Sequence, residues 1–280
     1  MIIFNFKILS KLTVFYALFL IIICVLNNID LKISIIIPTF NRGELITNSI
    51  KSVLNQTFQN LEVIIVDDGS SDNTKEIVKK IKDKRIKYIR LKENKGASNA
   101  RNIGIKNAHG QYISFQDSDD IFYPNKLEEQ LKNIINKRSN FDFCKINVIY
   151  NDSFSYFYPN KIVEDRLEKT DFFNELISHG NFISTQSILV EKEIIKNYIF
   201  DPNLPRLQDY DLILRMIPKL KISYTKKVLV DLHIQKNSLT RSPMKLKHAI
   251  EILLNKTYNF NETQQSTFIG YLNHVLEHDF

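Results

Sequence analysis

Carboxylates gather where two apolar runs end. Asp67-Asp68 follows LEVIIV, and Asp117-Ser118-Asp119-Asp120 follows QYISFQ. In an extended segment the side chains of residues i and i+2 share a side, so Asp117 and Asp119 face the same way. Two hard oxygen donors on one side suit Mg2+ or Mn2+, whose shell is completed by water and phosphate oxygens. A lone D-x-D more often caps a helix or stays solvated. Two acidic strand ends in one sheet favour a shared crevice.

The elements that must position these acids follow from periodicity. Lys32–Ile37 and Leu61–Val66 are short, mostly apolar runs and read as buried strands, the first ended by Pro38; Arg85–Leu91 and Gln111–Phe115 read as a third and a fourth strand. Between them Glu44–Asn55, a stretch capped at Ser71 or Asp72 and running to Lys82, and Ala97–Asn107 read as helices. Strand–helix alternation with uniformly apolar strands predicts an α/β fold with a mostly parallel central sheet flanked by helices on both faces. Ligands of such sheets bind outside the carboxyl ends of the strands. The working edge is therefore Pro38–Arg42, Asp67–Ser71, Leu91–Ala97 and Gln116–Asp120. Beyond residue 140 the pattern loosens. Phe141–Ile149 and Gln186–Val190 read as strands; Asp171–Ser178, Asp209–Met216, Met244–Asn255 and Gln264–Glu277 read as helices. The aromatic residues between Asp152 and Tyr158 read as core or lid packing rather than a sugar platform.

The chain has 280 residues and a formal net charge of +7. Residues 75–95 hold ten Lys/Arg against three Asp/Glu, which leaves the rest of the chain neutral. A neutral remainder argues against a globally basic nucleic-acid binder and leaves a local basic strip. The strip fits a solvated face, or attraction to an anionic membrane surface. Two cysteines, Cys24 and Cys144, cannot form a disulfide framework, and a reducing compartment follows. Leu12–Leu26 is apolar except for Thr13 and approaches the ~20 residues of a spanning helix. Residues 1–30 read as a membrane anchor, a buried helix or a non-native extension; the anchor is preferred, with its orientation open. His109 and His179 read as ordinary hydrogen-bonded histidines.

Four ordered pieces carry a family resemblance: KISIIIPTFNR, SVLNQTFQNLEVIIVDDGSSDNT, NKGASNARNIGI and GQYISFQDSDDIFYPNKLEEQL. Over residues 32–131 the chain resembles the family 2 inverting glycosyltransferases, with Phe122 where Trp is common. The resemblance implies a GT-A fold: a Rossmann-like nucleotide-binding half and an acceptor-binding half over residues 31–245, then a helical extension over 246–280.

It also implies roles. Pro38, Thr39 and Phe40 line the base pocket, and Asp68 accepts from the base's ring N–H. Lys95 and Arg101 lie near the diphosphate or sugar, although Arg101 serves equally in a helix-face salt bridge. Asp117 contacts ribose or metal, Asp119 holds Mn2+ or Mg2+, and Asp120 borders the sugar. Asp209, in LQDYDLILR, corresponds to the general base, with Gln208 replacing the usual Glu; a helix cap is compatible with that role. His233 corresponds to a metal-side histidine, and an ordinary hydrogen-bonded histidine is the competing reading. NFISTQ, residues 181–186, fits either a sugar contact or a plain turn. The partners implied are a UDP-type nucleotide-sugar donor and a glycan or glycolipid acceptor, at a membrane with the catalytic domain in the cytoplasm. A metal-dependent nucleotidyltransferase and a non-catalytic nucleotide-sugar-binding module are the rival readings.

Overall fold

The computed structural model describes residues 31–151, 154–167, 171–235 and 242–278. The first half contains β1 (Ile33–Thr39), α1 (Ile46–Leu54), β2 (Leu61–Asp67), α2 (Thr74–Lys80), β3 (Ile86–Arg90), α3 (Ala97–Asn107), β4 (Tyr112–Phe115), β5 (Ile121–Phe122) and α4 (Lys126–Lys137). The second half contains β6 (Phe141–Asn151), β7 (Phe154–Tyr158), α5 (Lys161–Leu167), α6 (Phe172–His179), β8 (Ile188–Glu191), α7 (Lys192–Ile195), α8 (Gln208–Met216), β9 (Ile222–His233), α9 (Pro243–Leu254) and α10 (Glu262–His278). The apolar run 12–26 lies outside the described residues, as does Cys24. No described helix is long and apolar enough to cross a membrane.

The described strands form one sheet in the order β3-β2-β1-β4-β8-β6-β9-β5, with β7 paired to β6. The expected parallel arrangement holds for β3-β2-β1-β4. Beyond β4 the sheet is mixed: β8 runs antiparallel to both β4 and β6, and β9 parallel to β6. β1 and β2 are buried at every position, which requires cover on both faces. On one face α1, α2 and α4 supply Ile46, Ile50, Val53, Val78, Leu127 and Leu131. On the other, α3, α6, α8, α9 and α10 supply Ala100, Leu176, Leu212, Ile250 and Phe268. The two C-terminal helices therefore share the core that seats α8. Gly104 lets α3 lie close on β1, because a Cβ there would meet Ile36 Cγ2 at 2.3 Å.

Two readings are corrected. β1 continues through Pro38 to Thr39. Ile36 and Pro38 turn their backbone toward β4, whose ladder with β1 stops at Ile36–Phe115, so Pro38 removes no ladder bond. The aromatic run 154–158 is an edge strand, not core: Phe154, Tyr156 and Phe157 are 57%, 41% and 54% exposed, and only Tyr158 packs inward. Part of the basic strip has a structural home as well. β3 pairs only with β2 among the described strands and carries exposed Lys87 and Arg90. Charged side chains on an edge oppose pairing with other chains.

Candidate active site

Two backbone turns shape the nucleotide-side edge. After β1, Asn41 takes a left-handed φ of 52°, a conformation that Asn tolerates. Its Oδ1 accepts from Ser71 N at 2.9 Å while its own N–H donates to Ser70 Oγ at 2.9 Å. These bonds clamp the β1 and β2 ends together. Asp67 is fully buried; Oδ1 accepts from Ser70 N at 2.7 Å and Oδ2 from the Tyr88 hydroxyl. Asp68 accepts from Lys95 N at 2.9 Å and from Gly96 N at 2.6 Å. Gly96, at φ +89°, opens α3. Asp68 thus ties the β2 end to the α3 entry, and each oxygen keeps one lone pair for a further donor. Phe40 stands 39% exposed beside buried Pro38 and Thr39. The Lys95 ammonium does not join this group: it pairs at 3.0 Å with Glu93, and both are exposed.

The acidic loop after β4 is held from three sides. Arg101 of α3 is 6% exposed and donates from Nη2 to Asp117 Oδ1 at 2.7 Å. Gln186 donates from Nε2 to Asp117 Oδ2 at 2.7 Å and to Asp120 Oδ2 at 2.6 Å. Ser49 of α1 donates to the Asp117 carbonyl at 2.9 Å. Asp120, expected to border the sugar, lies deeper than Asp119. It is 2% exposed, and its Oδ1 accepts from His233 N at 2.8 Å. It braces the end of β9 against the loop. Burial, then the neighbouring Asp117 and Asp119, pushes its carboxyl well above the usual range. Asp119 is raised as well, by burial and then by Asp117, with Arg42 Nε at 3.9 Å opposing the shift.

Asp209 stands in the first turn of α8. Its Oδ1 accepts from Asn181 Nδ2 at 3.1 Å and Tyr210 N at 2.9 Å, and its Oδ2 from Thr185 Oγ1 at 3.2 Å. Burial pushes its carboxyl up, against hydrogen bonds and the charge of Arg101. α8 itself is anchored by Asp211, which is fully buried against Arg215, Lys256 and Tyr258. The turn Thr185–Ser187 therefore links both acid groups: Thr185 touches Asp209, and Gln186 touches Asp117 and Asp120. Arg42, Asn181, Thr185 and Gln186 had no carboxylate-holding role in the sequence reading. A segment of short polar residues before a strand signals a turn and does not say what the turn grips.

His109 and His179 stand apart, facing Glu62 at 3.5 Å and Glu175 at 3.2 Å. Cys144 is buried, and burial pushes its thiol up to about 12, which makes it a poor nucleophile.

Buried polar atoms are almost always paired. Among the described residues the exceptions are Thr39 Oγ1, Ser98 Oγ, Arg101 Nε, Gln116 Oε1, Asn147 Oδ1 and His233 Nδ1. Five of these six lie at the ends of β1, β4 and β9 or in the first turns of α3, around the carboxylates. That concentration suits a polar ligand. For a divalent cation the donors are few: the hard Asp119 carboxylate and the borderline, unpaired His233 Nδ1, near enough for His233 to lower the Asp119 carboxyl. Among the described residues no group of three or more His, Cys, Asp or Glu is arranged to hold a metal ion. The fit is to an ion such as Mg2+ or Mn2+ that takes most of its shell from phosphate and water.

The family model for glycosyl transferase family 2 matches residues 34–199, and the chain belongs to that family. An uncharacterised glycosyltransferase of Haemophilus influenzae is 34% identical over 225 residues, covering 78% of this chain and 84% of that protein. One of Rickettsia bellii is 54% identical over 104 residues, 37% of this chain and 15% of that protein. The chain thus spans only a small part of such longer rickettsial relatives. The Escherichia coli UDP-Glc:alpha-D-GlcNAc-diphosphoundecaprenol beta-1,3-glucosyltransferase WfgD is 43% identical over 124 residues, 44% of this chain and 49% of that protein. Among solved structures, Staphylococcus aureus TarS 1-349 in complex with UDP-GlcNAc superposes with a TM-score of 0.70 at 21% identity, covering 89% of this chain and 73% of that one. At that identity the likeness defines the fold, which is GT-A.

Proposed function

We propose that this chain transfers a sugar from a UDP-linked donor to a hydroxyl of a glycolipid acceptor, with inversion at the anomeric carbon. The observation that carries the reading is the turn Thr185–Ser187. It holds Asp209 on one side and the Asp117–Asp120 loop on the other, so one turn ties the carboxylate read as the base to the carboxylates read as the diphosphate side. Inversion requires a single displacement, with a base at the acceptor and charge neutralisation at the leaving diphosphate. Asp209 serves as the base. Its burial raises the carboxyl from the ordinary range toward neutrality, where a general base works better.

Pro38, Thr39 and exposed Phe40 form the base pocket, and the remaining lone pairs of Asp68 accept from the ring N–H. Arg101 holds Asp117 at the ribose and diphosphate side. Asp119 and His233 would hold the divalent cation, which when bound offsets the charge of the diphosphate. The UDP donor and lipid-linked acceptor follow the activity for which the E. coli relative is named and the nucleotide sugar bound by the S. aureus structure. Incubation with a panel of UDP-, GDP- and TDP-sugars and a lipid-diphosphate-GlcNAc acceptor tests the reading. The expected result is a UDP-sugar-dependent product whose new linkage has the opposite anomeric configuration. A retained configuration, or pyrophosphate release from a nucleoside triphosphate without transfer, overturns it.

A further inference from the structure

The two carboxylate oxygens of Asp209 have different surroundings. We infer that Asn181 and Tyr158 are positioning residues that lock Asp209 so that Oδ2, not Oδ1, takes the acceptor proton; this role rests on Asp209 being the base. Oδ1 accepts from the Asn181 amide and from the Tyr210 backbone N–H, and neither of these donors can accept a proton in return. Among the described residues Oδ2 has one hydrogen-bond partner, the Thr185 hydroxyl, which can rotate from donor to acceptor. A proton placed on Oδ1 would collide with two fixed N–H groups. A proton on Oδ2 leaves both Oδ1 bonds intact and can be received by Thr185.

Asn181 is itself fixed at three points. Its Oδ1 accepts from Ile183 N at 3.0 Å, so its amide nitrogen must face Asp209. Its carbonyl accepts from the Tyr158 hydroxyl. The preceding Gly180, at φ +82°, lies so close to α10 that a Cβ there would meet Tyr271 Oη at 1.9 Å. The charged and titratable groups facing Asp209 are Arg101 from α3, Arg206 from the segment before α8 and Tyr158 from β7. In the step itself the acceptor O–H breaks and its proton passes to Oδ2. The freed oxygen pair forms the bond to the anomeric carbon. The bond from that carbon to the diphosphate oxygen breaks, and the diphosphate leaves with the pair.

The test is the pH profile of kcat/KM for transfer, with UDP affinity and thermal unfolding measured alongside. Asn181→Ala removes a donor to the ionised carboxylate, so the acid limb should move up by about one pH unit. Asn181→Asp keeps the shape and adds a like charge, so its limb should move further in the same direction. Tyr158→Phe should move it less, and Thr185→Val should lower kcat while Thr185→Ser retains it. UDP affinity should stay within about twofold for all of these variants, since none touches the nucleotide side. An acid limb that stays in place for both Asn181→Ala and Asn181→Asp, in folded protein that binds UDP, overturns the inference. Asp209→Asn separates the two levels. If that variant still transfers, the base assignment itself fails; if it is inactive and the Asn181 limbs do not move, only the positioning role fails.

Discussion

Replacing Gln186 with leucine should cost the protein a large part of its stability without opening a cavity. Leucine is close in volume to glutamine, so the loss is one of hydrogen bonding. Gln186 is 5% exposed, and its amide nitrogen bridges Asp117 and Asp120 at 2.7 and 2.6 Å. A hydrogen bond to a charged group contributes about 1.5–3 kcal/mol, and water cannot easily replace a donor this deep. Two such bonds give about 3–6 kcal/mol; the one to Asp120, whose carboxyl is raised by burial, lies at the low end, so the loss is about 3–5 kcal/mol, against a total of roughly 5–15 for a typical domain. With a urea m-value of about 2–3 kcal/mol/M, the midpoint should fall by about 1.5 M. Gln186→Glu adds another carboxylate to the cluster. It should be worse than leucine at pH 8 and recover toward pH 5, where its own protonation supplies an O–H donor. The assay is urea unfolding followed by circular dichroism at the two pH values. A midpoint for Gln186→Leu within about 0.3 M of wild type would refute the claim that this bridge holds the acidic loop.

Other outcomes follow from the same geometry. The carboxyls of Asp119, Asp120 and Asp209 are raised by burial, and that of Asp142 is pushed up to about 6 by the same cause. At these four sites the folded state binds more protons than the unfolded chain above pH ~4, so their contribution to stability is lost as pH rises through the folded values. Asp142 alone should contribute about 1 kcal/mol between pH 5 and pH 7, visible as a higher urea midpoint at the lower pH. Asp211→Ala removes the buried anion of α8 and should destabilise by about 3 kcal/mol. That value is the low end for a buried pair because the Arg215 and Lys256 side chains are 27% and 22% exposed and can rehydrate; thermal unfolding reads it. Asp119→Ala should abolish Mn2+-dependent tightening of UDP binding in calorimetry while leaving weaker, metal-independent UDP binding in place.

The nucleotide half was largely readable from local pattern. LEVIIV is apolar except for Glu62 because β2 is covered on both faces, and α3 spans the Ala97–Asn107 read from the sequence. The antiparallel strands beyond β4 were harder. β8 is four residues long and β7 lies at an edge, so neither shows a long period. The partners of the carboxylates were hidden for a different reason. Asp120 reads like Asp119 in sequence, yet one is sealed against His233 N and the other keeps an open side. Asn181, Thr185 and Gln186 are ordinary turn residues until tertiary packing brings the turn between β4 and α8. Lys95 is the reverse case: a cation in the right motif whose ammonium turns to Glu93.

The proposed mechanism makes Asp209 the base of an inverting transfer performed beside a separate nucleotide site. Asp209→Asn keeps the shape of the side chain and removes its ability to take a proton. Transfer from a UDP-sugar to the lipid-linked acceptor and UDP affinity should be measured on the same preparation. Transfer should fall by at least about a hundredfold while UDP affinity stays within about twofold. Undiminished transfer by Asp209→Asn would contradict the claim.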